Sequence, residues 1–197
     1  MNLAIDLDDV VLGFVDMLCK ALRKEYDVTL APQDIVEWDL SKVLDPIVGG
    51  PWWDWWKERD WLWAQATAVD GAIGGIRTLR QQGHKLEIVT SKPEWAEAQT
   101  WRWLGKWRPA VHGVKIVGMD ERKLDRSDAP LIVDDKPETC IEWAEAGRIA
   151  LLFSRPHNAP ASTSAVQAGK NFPGKVIRVD DWRGVLRAIR KIEMEVA

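Results

Sequence analysis

The chain has few cysteines, few histidines and few aromatic residues other than tryptophan. Its 197 residues include 2 cysteines, 3 histidines, 1 tyrosine and 3 phenylalanines. The two cysteines lack the close spacing of a redox or metal-binding pair, which favours reduced thiols in a cytosolic protein over a disulfide framework. The histidines lie far apart in the sequence, so they predict no zinc site.

Long apolar runs and an excess of positive charge are also missing. No stretch approaches the roughly 18 apolar residues that would span a bilayer, and no basic segment opens the chain as it would a signal peptide. We therefore expect a cytoplasmic protein without a membrane partner. The formal net charge of −3 gives no basic field, so no long nucleic acid is expected as a partner.

Tryptophan is the residue that the chain has in excess. Of its 13 tryptophans, six lie between positions 52 and 63. The surrounding stretch, 28–71, contains prolines and glycines and shows no alternation typical of strands, so we interpret it as a small helical insertion. Most tryptophans of such an insertion build its core, but an exposed tryptophan can also stack on a nucleobase.

The rest of the chain alternates short apolar runs with helical patterns. Strands are predicted at 3–5, 85–89, 114–117, 130–133, 149–153 and 175–179, and helices at 14–26, 72–82, 94–104, 138–146 and 181–195, with a loop over 155–173. This alternation predicts an α/β fold, a Rossmann-like doubly wound parallel sheet with a small helical cap inserted after the first strand. We expect residues 1–15 and 72–197 to form the catalytic core and residues 16–71 to form the tryptophan-rich cap.

Acidic residues follow two of the predicted strands. Asp6 and Asp8 come after the first strand, and Asp134 and Asp135 come after the strand at 130–133. In parallel sheets ligands bind beyond the carboxyl ends of the strands, so these side chains should meet. Carboxylate oxygens suit Mg²⁺, and all four aspartates are candidate metal ligands.

The same strand ends offer the groups that phosphoryl transfer needs. Asp6 can act as a covalent nucleophile, and Asp8, two residues on, can act as general acid and base. Thr90 or Ser91 can hydrogen-bond a phosphoryl oxygen. A lysine should balance the remaining negative charge; Lys123 is the candidate, with Lys115 and Lys92 as its competitors.

The order of these motifs resembles that of the haloacid dehalogenase-like phosphatase superfamily. That superfamily has an Asp-x-Asp after the first strand, a Thr or Ser after the second, a distant Lys, and an acidic pair after a later strand. The matching segments are Asp6-Leu7-Asp8, Thr90-Ser91, Lys123 and Asp134-Asp135. The resemblance implies a Mg²⁺-dependent phosphatase that forms an aspartyl-phosphate, with its cap inserted between the first two motifs.

Within that superfamily, the chain is similar to the 5'(3')-deoxyribonucleotidases. The similar segments are 6–14, Thr90-Ser91, the span from Lys123 to Asp135, and Leu152-Phe153 followed by His157-Asn158. This resemblance implies that Asp6, Asp135 and the Asp8 carbonyl bind Mg²⁺, and that Phe14, Thr90 and Lys123 contact a nucleoside monophosphate. The chain departs from the family at Lys92, where the family usually has Pro, and in the use of tryptophan for the Phe and Tyr of the cap.

Several alternatives remain open at this point. The substrate could instead be a sugar phosphate or the 3'-phosphate end of a polynucleotide, or the protein could bind nucleotides without catalysis. We also leave open a homodimer. The residues predicted to contact substrate are Phe14, Trp38, Trp56, Trp63, Thr90, Ser91, Lys92 and Lys123.

Overall fold

A single parallel sheet forms the centre of the molecule. The structure, a computed structural model, describes residues 1–59, 61–159, 166 and 170–196. Its strands are β1 (Asn2–Ile5), β2 (Lys85–Ser91), β3 (Gly113–Val117), β4 (Leu131–Asp134), β5 (Ile149–Phe153) and β6 (Lys175–Val179). They pair in parallel in the order β3-β2-β1-β4-β5-β6. This order reverses at β1, which confirms the doubly wound sheet expected from the sequence.

Eight α-helices accompany the sheet in the described residues. They are α1 (Phe14–Tyr26), α2 (Ser41–Val48), α3 (Trp52–Lys57), α4 (Leu62–Gln65), α5 (Ala72–Gln81), α6 (Glu97–Trp107), α7 (Pro137–Glu145) and α8 (Trp182–Val196). The helix predicted at 94–104 starts instead with a 3₁₀ turn at Glu94–Ala96 and continues to Trp107, where Arg108 takes a left-handed conformation that ends it. Of the loop predicted at 155–173, residues 160–165 and 167–169 lie outside the described residues, and a 3₁₀ turn occupies Pro156–Asn158.

Helices cover both faces of the sheet, and the strand residues alternate between them. Leu3 and Ile5 of β1 lie in one apolar cluster with residues of α1, α5 and α8. Ala4, which points the other way, lies in a second cluster with Trp143 of α7. Because both faces are buried, the strands read as continuous apolar runs in the sequence. The polar strand ends are the places where chemistry can occur.

The loop that follows β1 is held by the last helix. The indole nitrogen of Trp182 donates a hydrogen bond to the carbonyl of Val10, with the two atoms 2.8 Å apart. The same ring lies against Gly75 of α5, where an added Cβ would come within 2.5 Å of it. A side chain at position 75 would therefore displace the ring that holds this loop in place.

Residues 28–71 contain short helices, as the sequence predicts. In the described part of this segment a single bridge, between Leu12 and Ala68, is the only strand-like pairing. Helix α1 begins at Phe14, so the expected boundary between residues 15 and 16 falls in its first turn. None of the described helices has the length and apolar character needed to cross a membrane.

Candidate active site

The first two acidic motifs meet because β1 and β4 are neighbours. Ile5 pairs with Val133 across the two strands, and the backbone amide of Asp6 donates to the carbonyl of Val133 at 2.8 Å. Asp6 and Asp134 therefore leave adjacent strands at the same edge of the sheet. Asp6 is 5% exposed and Asp134 is fully buried.

Lys123 lies between these two carboxylates. It starts a 3₁₀ turn, and its Nζ lies 2.6 Å from Asp6 Oδ1 and 2.7 Å from Asp134 Oδ2. Burial alone would lower the pKa of Lys123, but the charges of Asp134 and Asp6 outweigh this and raise it above its usual value. The lysine therefore stays protonated. The competitor Lys115 is half-exposed and pairs with Glu87 at 2.8 Å.

The two aspartates that follow β4 have different partners. Asp134 uses both oxygens within the protein, since Oδ2 contacts Lys123 and Oδ1 accepts from the backbone amide of Lys136 at 2.8 Å. Asp135 contacts the ring of His157 through Oδ2, at 2.8 Å from Nε2. Burial raises the pKa of Asp134 to about 7, against the opposing effect of Lys123. Burial and the nearby Asp6 charge raise the pKa of Asp135 to about 8.

The crowded carboxylates fit a hard divalent cation. Asp6, Asp134 and Asp135 each place a carboxylate oxygen within 4.8 Å of the others. Oxygen ligands of this kind suit Mg²⁺, and a cation would relieve the mutual repulsion of the three carboxylates. Because both oxygens of Asp134 already have partners, Asp6 and Asp135 are the better candidates for direct ligands.

Asp8 lies beside this group on the loop after β1. Its Oδ2 forms an ion pair with the ammonium of Lys92, and its Oδ1 is buried with no hydrogen-bond partner among the described residues. Burial raises the pKa of Asp8, an effect that Lys92 opposes. The next residue, Asp9, has a positive φ of 52°, and its carbonyl accepts a hydrogen bond from Arg155 Nε at 2.6 Å. The loop is thus fixed on both sides of Asp8.

The polar residues at the carboxyl end of β2 lie near the same acidic site. Ile88 pairs with Ile5 of β1, so Thr90 lies near the level of the Asp6 loop. The Thr90 hydroxyl is buried and has no hydrogen-bond partner among the described residues. An unpaired buried hydroxyl is costly unless a ligand supplies the missing bond. Ser91, the next residue, lines the cavity described below.

A cavity of about 620 Å³ opens above these residues, a size typical of small-molecule sites. Four of the residues that line it are acidic and are here called the carboxylate wall: Asp6, Asp8, Asp134 and Asp135. Four others are aromatic and are here called the aromatic wall: Phe14, Trp38, Trp52 and Trp53. Lys123 also lines the cavity.

Some residues predicted to bind substrate lie behind the cavity surface. Trp56 and Trp63 are at most 2% exposed and stack on each other with ring centroids 5.6 Å apart. Both rings pack against Phe14. Neither tryptophan is among the cavity-lining residues, and nor are Thr90 and Lys92. A substrate contact for these four stays a prediction.

The structure also brings in residues that sequence reasoning did not assign to the site. His157 contacts Asp135 and lies edge-on to Trp38, with ring centroids 5.1 Å apart. Burial lowers the pKa of His157, which favours the neutral ring. Trp52 and Trp53 supply much of the aromatic wall. The sequence pair His157-Asn158 after β5 could have identified His157 as a site residue. No feature of the sequence distinguishes Trp53 from the neighbouring tryptophans.

Two comparisons of the sequence with known proteins find nucleotidases. The family model described as "5' nucleotidase, deoxy (Pyrimidine), cytosolic type C protein" matches residues 1–189. A Halalkalibacterium halodurans protein named "Putative nucleotidase BH1399" is 23% identical over 182 residues, which cover 90% of this chain and 87% of that protein.

Solved structures share the fold. A HAD family hydrolase from Deinococcus radiodurans R1, solved with bound phosphate and sodium, has a TM-score of 0.63 and is 15% identical in sequence. The match covers 96% of this chain and 95% of that chain. A "predicted phosphatase" from Clostridium acetobutylicum has a TM-score of 0.66 at 13% identity, with coverages of 96% and 98%. The family match spans nearly the whole chain. The chain therefore belongs to the 5' nucleotidase, deoxy (pyrimidine), cytosolic type C family, whose members are phosphoric monoester hydrolases of the haloacid dehalogenase-like superfamily.

Proposed function

We propose that this protein is a Mg²⁺-dependent phosphatase that hydrolyses (deoxy)ribonucleoside monophosphates through an aspartyl-phosphate on Asp6. The observation that carries the proposal is the placement of Asp6. It lies at the carboxyl end of the central strand, in contact with the Lys123 ammonium, and it lines a cavity that aromatic side chains also line.

In the first step Asp6 attacks the phosphorus atom. Lys123 contacts Asp6 through Oδ1 only, so Oδ2 is not held by the lysine and serves as the nucleophile. As the new O–P bond forms, the bond from phosphorus to the ester oxygen breaks and its electron pair stays on that oxygen. Asp8 gives a proton to the leaving oxygen.

In the second step a water molecule attacks the phosphorus of the aspartyl-phosphate. Asp8, now ionised, accepts a proton from this water, and the bond between phosphorus and Asp6 breaks. Lys123 stabilises negative charge in both steps because its ammonium is buried and fixed by two carboxylates. The buried Thr90 hydroxyl supplies a hydrogen bond to a phosphoryl oxygen.

A divalent cation completes the charge balance of the site. Enzymes of this superfamily generally use one, and the solved Deinococcus radiodurans neighbour holds phosphate together with sodium. Asp6, Asp135 and the Asp8 carbonyl would hold Mg²⁺, which supplies electrostatic stabilisation of the phosphoryl group when bound. Asp134 serves chiefly to anchor Lys123.

The aromatic wall supports a substrate that carries a base. Trp38 and Trp53 are 46% and 39% exposed, so each can offer a ring face, and stacking on an aromatic side chain is worth about 1–3 kcal/mol per base. A sugar phosphate has no aromatic base to stack on these rings. We also propose that residues 16–71 act as a cap that excludes water during turnover. The cytoplasmic location and the homodimer stay predictions.

The test is phosphate release from a panel of 5'- and 3'-nucleoside monophosphates and sugar phosphates, with Mg²⁺ and with EDTA. We expect Mg²⁺-dependent release from nucleoside monophosphates and its loss in Asp6→Asn, with a decrease on the order of 10⁴-fold or more. Asp16→Asn, which removes an exposed carboxylate paired with Lys20 on α1, is the matched control and should keep full activity.

Three outcomes contradict parts of the proposal. Release that persists in Asp6→Asn removes the aspartyl-phosphate mechanism. Release from sugar phosphates alone keeps the mechanism and removes the nucleotide. Binding of nucleoside monophosphates without any release, measured by calorimetry, indicates a binding protein.

A further inference from the structure

Lys92 is a buried lysine at an unusual place in the site. It directly follows β2, and its backbone amide donates to the carbonyl of Val117 at the end of β3, at 2.9 Å. Its side chain is only 1% exposed. Lysines are almost never buried this deeply unless they have a partner, so the contacts of this ammonium indicate what it does.

The partner of Lys92 is the carboxylate of Asp8. The ammonium forms an ion pair with Asp8 Oδ2 and lies 4.4 Å from the ring centroid of Trp63 and 6.0 Å from that of Phe14. Two aromatic rings and one carboxylate thus surround it. Lys92 is not among the residues that line the cavity, and the anionic group that it contacts is Asp8.

The two oxygens of Asp8 are in different surroundings. Oδ2 is held by Lys92, whereas Oδ1 is buried without a hydrogen-bond partner among the described residues. Asp8 nevertheless lines the cavity. An unpartnered buried oxygen of a residue that lines the cavity is the atom that a bound ligand can satisfy.

We propose that Lys92 is a positioning residue that fixes Asp8 through Oδ2 and so directs Oδ1 at the leaving oxygen of the substrate. Trp63 supports this ion pair from behind and does not contact the substrate itself. The inference rests on the proposed function, because it assigns Lys92 to the proton-transfer step of that reaction. It differs from the expectation that Lys92 adds a cation next to the phosphate.

The anchor is compatible with both protonation states of Asp8. A neutral carboxyl carries its proton on Oδ1 while Oδ2 still accepts from the ammonium. When the P–O bond breaks, the proton passes from Oδ1 to the leaving oxygen, and Oδ2 keeps the same partner. Water attack in the second step returns a proton to Oδ1. Lys92 therefore need not move or lose its proton during the cycle.

Leaving-group dependence tests this role. A nucleoside leaves as a poor alkoxide and needs the proton from Asp8, whereas p-nitrophenolate leaves without one. We expect Lys92→Met to lower kcat/KM, which reports the first step, for a nucleoside 5'-monophosphate at least about tenfold more than kcat/KM for p-nitrophenyl phosphate, since general acid catalysis contributes about 10²–10⁴-fold. KM should stay within about threefold, because Lys92 does not contact the phosphate.

Matched variants separate positioning from a general loss of structure. Lys92→Arg keeps the positive charge and should restore part of kcat/KM for the nucleotide. Lys115→Met, outside the cavity, should change neither substrate. If Lys92→Met does not fold, Trp63→Leu takes its place, with Trp63→Phe as its control. Trp63→Leu should show the same dependence on the leaving group, with a smaller difference between the two substrates.

Two results overturn the inference. An equal loss of kcat/KM for both substrates in Lys92→Met, or in Trp63→Leu when the lysine variant does not fold, shows a structural role. A raised KM with unchanged kcat shows a phosphate contact. Asp6→Asn is measured in parallel. If Asp6→Asn keeps its turnover, the proposed function is wrong, whatever Lys92→Met does. If Asp6→Asn loses turnover, either of the two results above overturns only the role of Lys92.

Discussion

The two walls of the cavity are built from different kinds of secondary structure. Asp6 and Asp134 of the carboxylate wall come from the ends of paired strands, and the structure buries both almost completely. Trp38 and Trp53 of the aromatic wall come from a loop and from a helix of six residues, and both are about two-fifths exposed or more. Strand ends in a sheet are held by hydrogen bonds on both sides, whereas a short helix depends on what packs against it.

The two walls have different tasks, and each task needs a different degree of rigidity. The chemical groups must be held within a fraction of an ångström of their working positions, which the central strands provide. The surface that meets the rest of the substrate can rest on less rigid elements. The comparison predicts that changes in the carboxylate wall affect stability and turnover together, whereas changes at the exposed tryptophans affect substrate binding and leave turnover unchanged.

The largest effect is expected from Lys123→Met. It leaves Asp6 and Asp134 buried without their cation, and loss of one partner of a buried ion pair costs about 3–5 kcal/mol. We expect the free energy of unfolding in urea to fall by this amount and phosphate release to be lost. Lys115→Met breaks a half-exposed pair and should cost less than about 1 kcal/mol. If both variants lose the same free energy of unfolding, the stability of the carboxylate wall does not depend specially on Lys123.

A smaller effect is expected from His157→Leu, which removes the contact with Asp135 at 2.8 Å. Groups that orient a metal ligand typically contribute about 10- to 100-fold in metal affinity. The Mg²⁺ concentration for half-maximal phosphate release should therefore rise by about that factor. His157→Gln keeps a side-chain donor and should shift it less. An unchanged Mg²⁺ requirement would mean that His157 belongs functionally to the aromatic wall, where it meets Trp38.

The smallest effect is expected at the aromatic wall itself. Trp53→Ala should raise KM for a nucleoside monophosphate by about tenfold, as expected from the loss of about 1–3 kcal/mol of stacking, and should leave kcat unchanged. Ribose 5-phosphate, which has no base, should show no change. Trp101→Ala is the control, since Trp101 is 47% exposed and lies outside the cavity. A similar rise in KM for ribose 5-phosphate would contradict stacking on a base.

Much of the fold and of the carboxylate wall was predictable from the sequence. Asp6-Leu7-Asp8 and Asp134-Asp135 each follow a short apolar strand, and the carboxyl ends of parallel strands all reach the same edge of the sheet. The topology therefore brings these motifs together whatever their separation along the chain. The boundaries of β5 and β6 also agree with the predicted ones, because these apolar runs have clear limits.

The roles of the tryptophans were not predictable in this way. Helix α3 carries tryptophan on several sides, so its sequence does not say which side faces the sheet. The structure buries Trp56, which was predicted to contact the substrate, and leaves Trp53, which was not, at the cavity.

The sequence by itself determined the sheet, its strand ends and the acidic groups placed there, because strand pairing and residue type are enough to specify them. Only the tertiary structure decided which lysine meets which carboxylate. Lys123 contacts Asp6 across 117 positions of the chain and Lys92 contacts Asp8 across 84. Contacts at such separations depend on how the 3₁₀ turn at Lys123 and the rings around Lys92 pack in the folded protein, and no local pattern in the sequence encodes them.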